Sequence, residues 1–228
     1  MERLKMKSVV FAAVFVMFVM VGTAGAAFTF DDIEYWVGSG SNQAAMVIDW
    51  NDGKDPQSLA WGYRWDGTAT GEDMIMAIAG TGDGYTPYGD DMRLFANLTY
   101  YGGLGYAVFG LGYDLDGDGG SFISGEEGYL TETGYATDPD DHYREGWYTG
   151  NWSYWWDEDF NDTIGDSWHF APLGLSSHVL TNGLVDGWSF GGLPGEPVAA
   201  APVPIPGAVW LLGSGLMGLA GLRRKPGA

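Results

Sequence analysis

The chain is 228 residues long, carries 30 acidic residues against 10 basic ones, and contains no cysteine. A net charge of −20 excludes nucleic acid as a partner, because binding phosphate requires a basic surface, and the lack of cysteine excludes disulfide staples. Disorder, the other reading of an acidic chain, is excluded by 11 tryptophans and 13 tyrosines, since chains that stay unfolded are poor in aromatics.

Residues 1–26 have the layout of a signal peptide. Arg3, Lys5 and Lys7 form a basic start, residues 9–21 an apolar run too short for an ordinary membrane span, and Ala24-Gly25-Ala26 a small-residue cleavage site. Cleavage by signal peptidase is expected after Ala26. Between this leader and the C-terminal tail lie only four basic residues, Lys54, Arg64, Arg93 and Arg144. The same region holds every acidic residue except Glu2, so 29 acids face four bases, a net of −25 before histidines. Self-repulsion on that scale is either offset by cations or serves solubility.

Residues 27–191 have the length of one domain with its own core. Short apolar stretches rich in strand-favouring residues are cut by Gly, Asp and Asn. Strands are expected at 33–37, 44–50 and 59–65, and a hairpin pairs 94–101 with 106–113 across Gly102-Gly103-Leu104-Gly105. Further strands, shorter and tryptophan-rich, are expected at 146–156, 167–170 and 187–190. One helix is expected, at 72–79: Thr70 or Gly71 caps it, Glu72 and Asp73 suit its positive end, and Met74, Ile75, Ala77 and Ile78 form one apolar face. The fold class is therefore mainly β, a single sandwich-like or mixed-sheet domain with one short helix. A small α+β fold is the alternative, because the capped helix follows a strand and an Asp-Gly turn. The stretch 30–79 resembles a module of uncharacterised bacterial surface proteins, which implies a domain and no particular chemistry. Residues 192–202 are a Gly/Pro/Ala spacer expected to be extended.

Asp114-Leu115-Asp116-Gly117-Asp118-Gly119 is the sharpest internal motif. Acids at alternate positions with Gly at the sixth converge side-chain oxygens on Ca²⁺ in EF-hand loops. Here the twelfth position, where a bidentate Glu belongs, is Gly125, and the preceding pattern is a strand. The segment resembles instead the DxDxDG loops that hold calcium in extracellular β-rich proteins, which implies Asp114, Asp116 and Asp118 as ligands. The competing reading is an ion-free Asp/Gly turn. Asp138-Pro139-Asp140-Asp141 is a second acidic turn.

Trp147, Tyr148, Trp152, Tyr154, Trp155 and Trp156 fall within ten positions. In a strand, Tyr148, Trp152, Tyr154 and Trp156 share one face, while Trp147 and Trp155 take the other. Trp147, Trp152, Trp155 and Trp156 are thus either bulky core filler or a stacking platform for sugar rings, such as an exopolysaccharide. Catalytic signals are weak. His142, His169 and His178 have no ligand spacing, Ser176-Ser177-His178 lacks a nucleophile elbow, and with so many acids some carboxylate pair always looks eligible for glycoside hydrolysis.

The tail reads VPIPGAVWLLGSGLMGLAGLRRK over residues 203–225. Pro204 and Pro206 block continuation of a helix from upstream. The uncharged run 207–222 gives a helix of about 24 Å, short for a membrane span, and Arg223, Arg224 and Lys225 then favour the cytoplasmic side. This layout resembles the PEP-CTERM class of bacterial sorting signals, with Ile205 in place of the glutamate. The resemblance implies a sorting segment at 203–228, a transient membrane helix, processing by an exosortase-type protease near the prolines, and delivery to the cell surface or matrix. An ordinary C-terminal membrane anchor is the alternative. The expected function is accordingly a non-catalytic surface or matrix protein stabilised by calcium, ahead of a carbohydrate-binding module and a secreted hydrolase.

Overall fold

The computed structural model of the chain describes residues 27–79, 93–124, 133–148, 150–158, 163–191 and 197. Both ends of the chain, including residues 1–26, expected to form a leader, and Pro204, Pro206, Arg223 and Arg224, lie outside them. The described part is mainly β, with eleven strands and one α-helix. The strands are β1 (Trp36–Gly38), β2 (Asn42–Asp49), β3 (Ser58–Trp65), β4 (Leu94–Tyr100), β5 (Tyr106–Tyr113), β6 (Phe122–Ile123), β7 (Tyr135–Ala136), β8 (His142–Glu145), β9 (Trp152–Asp157), β10 (Trp168–Phe170) and β11 (Val185–Phe190). The helix α1 spans Gly71–Ile78.

A six-stranded sheet runs in the order β1-β3-β2-β11-β9-β10 and a three-stranded sheet in the order β4-β5-β8, while β6 and β7 form a two-stranded ribbon. Pairing is mostly antiparallel, but β1 runs parallel to β3 and β2 parallel to β11. β2 explains why this sheet is central. From Ala44 to Asp49 every residue is buried, the continuous pattern of a strand covered on both faces. Met46 and Ile48 face inward with Trp61 of β3, Trp188 of β11, Leu94 of β4 and Leu111 of β5. Ala45 and Val47 face the other way, beneath Ile33, Ile164 and the partly buried Phe30, Trp36 and Trp168. The described spacer residue, Pro197, is buried on that outer side against Gly187.

The three-stranded sheet closes the inner face. β4 alternates as expected, with Leu94, Ala96 and Leu98 inward and Phe95 outward under Phe122 and Tyr143. In β5 a bulge interrupts the register at Asn97/Leu98, so Val108 and Leu111 both point inward while Phe109 turns outward. Trp50 fastens the two sheets, its ring nitrogen donating to the Leu111 carbonyl at 2.9 Å in the buried interior. The helix fills one end of the same layer with Met74, Ile75 and Ile78.

Thr70 rather than Gly71 caps the helix. Its hydroxyl oxygen accepts from the Asp73 N–H at 3.2 Å, and the Asp73 carboxylate accepts in return from the Thr70 N–H at 2.8 Å, a reciprocal capping box. The first helical residue must be small for a packing reason: a Cβ on Gly71 would lie 2.6 Å from the Tyr154 hydroxyl.

Candidate metal centre

Strand register builds the acidic site. β5 and β8 pair antiparallel, ending with Tyr113 opposite His142. The next residues outward are Asp114 and Asp141, so the two acidic turns that are separate in sequence meet at the end of one ladder. Ser121 and Thr137 tie the same loops together further along, with Thr137 N–H donating to the Ser121 carbonyl at 2.8 Å. Asp114 is buried and organises the loop. One of its oxygens accepts from the Gly117 N–H at 2.7 Å, the other from Gly119 at 3.0 Å and Gly120 at 3.2 Å. Asp116 accepts from the Asp118 N–H at 3.1 Å. Each carboxylate oxygen retains further lone-pair capacity after such a bond.

Ligand oxygens of Asp114, Asp116 and Asp118 lie within 4.8 Å of one another, as a single cation requires. Their charges oppose one another. The Asp116 charge, with slight burial and the charges of Asp138 and Asp114, raises the exposed Asp118 carboxyl above its ordinary range. Burial pushes the Asp141 carboxyl up to about 6; a bond from Leu115 N–H acts the other way, and Asp114, Asp138 and Asp116 add to the rise. Asp141 is 1% exposed, and its second oxygen, Oδ2, has no hydrogen-bond partner. That oxygen presses on Gly120, where a Cβ would lie 2.0 Å away, beside the Asp114 side chain. The donor set is oxygen-only and carboxylate-rich, which suits a hard divalent cation. Sequence reading marked 138–141 as acidic but not as part of this site; the signal that joins them is pairing register, which a four-residue strand of sequence His-Tyr-Arg-Glu does not advertise.

Two basic side chains lie beside these loops, Arg93 against Gly117. The Lys54 ammonium donates to the Asp141 backbone carbonyl. The Arg93 guanidinium lies over the Tyr113 ring, 4.8 Å from its centre.

The tryptophan run divides. β9 begins at Trp152, so Trp147 and Tyr148 belong to a separate turn, 46% and 77% exposed. Trp152 and Tyr154 point into the inner core with Trp156 packed against them, and Trp155 points to the opposite face, edge-on to Phe170. β10 and β11 cover the two edges of this strand, the inner core cluster covers one face, and Phe170 packs on the Trp155 side. Trp152 is 8% and Trp155 4% exposed. Trp147 instead packs on Phe109, with Tyr101 against the same ring, and both remain open to solvent.

Two histidines occupy separate buried polar sites, and the third, His169, is exposed on β10. His142 stacks on Trp50 with ring centres 4.6 Å apart and holds Asp52 at 3.1 Å. Burial acts to raise Asp52, but the bond and charge of His142, helped by Lys54, bring it below the ordinary carboxylate range. His178 lies against the Trp156 ring and within 3.2 Å of Asp186, close but poorly aligned for a hydrogen bond. Asp186 accepts from the Tyr154 hydroxyl at 2.6 Å. Burial raises the Asp186 carboxyl, with His178 and Tyr154 opposing. His142, His178 and Asp186 are buried and Asp52 is half-buried. Sequence reading did not single out Asp186 or Tyr154 as a pair.

No helix among the described residues is long and apolar enough to cross a membrane. Comparison with family models, with curated proteins and with solved structures finds no match to this chain.

Proposed function

We propose that this chain is an exported, non-catalytic β-sandwich protein of the bacterial cell surface or matrix, stabilised by calcium at Asp114, Asp116 and Asp118. The observation that carries the structural role is the burial of Trp152 and Trp155. Rings that a sugar-binding platform would hold open are spent inside a two-sided core. The leader-like start and the tail resembling a PEP-CTERM signal support export, through signal peptidase and an exosortase-type protease. The acidic loop supports calcium, which is abundant outside cells and suits weak sites.

A carbohydrate-binding reading keeps one specific observation in its favour. Trp147 and Tyr101, 46% and 47% exposed, flank the buried Phe109 ring. A glycan array probed with the exported protein and with Trp147→Ala separates the two. Silence from both proteins is expected; exopolysaccharide binding that Trp147→Ala abolishes would replace the structural reading.

A further inference from the structure

From the geometry we infer that Asp141 is a fourth carboxylate ligand of the calcium site, so that the ion clamps the β5–β6 loop to the turn before β8. The inference rests on the calcium reading of Asp114, Asp116 and Asp118, and adds the residue on which the site closes. Its independent support is the state of Asp141 itself. The side chain is 1% exposed, one oxygen is held by the Leu115 N–H at 2.9 Å, and the other has no partner. A buried carboxylate oxygen without a donor is costly, and in native proteins such groups mark missing ions or waters. Here that oxygen lies against Gly120, whose N–H donates to the Asp114 carboxylate, and Lys54, the one lysine among the described residues, bonds the Asp141 backbone carbonyl. Three neighbouring acids make water a poor substitute, because water leaves their mutual repulsion in place. A divalent cation removes the repulsion and supplies the missing partner together.

The clamp has a mechanical meaning. Asp114 ends β5 and Asp141 precedes β8, so an ion held by both fixes the end of the β5–β8 ladder. It also fixes the ribbon β6–β7, whose Phe122 covers Phe95 and Tyr143 on the outer face. Calcium then orders this outer layer instead of decorating one loop.

The test is calorimetric titration of the full exported protein with CaCl₂ after chelation, alongside Asp141→Asn and Asp116→Asn, with thermal melts in chelator and in calcium. Asn at 141 keeps an acceptor for Leu115 N–H and removes only the charge. We expect one site in the wild type, loss of binding in Asp116→Asn, and a Kd at least about tenfold weaker in Asp141→Asn. In chelator Asp141→Asn melts at or above the wild-type temperature, because a buried repulsion is gone; in calcium the order reverses. A role in loop packing alone would lower both midpoints and leave Kd unchanged. A Kd for Asp141→Asn within twofold of wild type overturns the inference and leaves the three-aspartate site standing. Absence of any calcium binding by the wild type overturns that underlying reading as well.

Discussion

At the residue scale the acids divide by what surrounds them. Asp32 and Asp66 are fully exposed, and bonds from Thr29 and Ser41 hold them below the ordinary range. Asp186 is enclosed, and burial moves it the other way. The sign of its effect follows from linkage. A carboxyl raised in the folded state contributes its full stability below the unfolded value of 3.8 and loses it as pH rises through the folded value. Asp186→Asn carries no such proton. The stability advantage of wild type over Asp186→Asn is therefore largest below pH 3.8 and declines as pH rises above it, as urea titrations of both proteins across a pH series would measure. An advantage that grows with pH would mean that pairing with His178 outweighs burial. None of this was legible in the sequence. Asp186 stands in the stretch Val-Asp-Gly-Trp-Ser-Phe, where alternation puts it on the face of Trp188 and Phe190 but an acid is ordinarily solvated, and nothing local shows that Tyr154 and His178 meet it inside the core. The three aspartates of the loop, by contrast, were legible because their spacing is local.

At the element scale, local chemistry predicted well and short strands did not. The helix was expected at 72–79 and spans Gly71–Ile78, because a cap, acids in the first turn and an apolar face all lie within ten residues. The hairpin was expected at 94–101 and 106–113 and forms as β4 (Leu94–Tyr100) and β5 (Tyr106–Tyr113), joined by a 3₁₀ turn at Gly102–Leu104. The bulge that turns Phe109 outward left no trace in composition. Strands β6 and β7 have two residues each, too few to show a period, and β8 is polar on its face. The capping box gives a prediction at this level. Thr70→Ala should destabilise the protein by about 1 kcal/mol, while Thr70→Ser, which keeps the hydroxyl, should cost less. Thermal or urea unfolding measures both, and equal losses would assign the effect to the Thr70 methyl group.

At the scale of the whole molecule, the sequence predicted the mainly β class and not the strand order. Apolar stretches separated by Gly and Asp mark the longer strands and miss β6, β7 and β8, and neighbours such as β2 and β11 are set by packing across more than a hundred residues of chain. The proposed processing also belongs here. Intact-mass analysis of protein taken from the cell surface or matrix should find a chain that begins near Ala27 and lacks Arg223, Arg224 and Lys225. A mass that retains the basic tail would indicate a plain membrane anchor, and a mass that retains residues 1–26 would remove the leader.

The placement of β11 has a consequence for the order of events in such an export. β11 is the last strand among the described residues, yet it lies inside the main sheet, parallel to β2 and antiparallel to β9. Until residues 185–190 arrive, β2 and β9 each present an open edge, and the sheet is cut in two. A chain threaded through a pore N-terminus first cannot lock its main sheet until Phe190 has crossed. It stays pliable during passage and becomes rigid at the end. If the chain is exported as proposed, closure around the final strand would act as a ratchet pawl against backsliding.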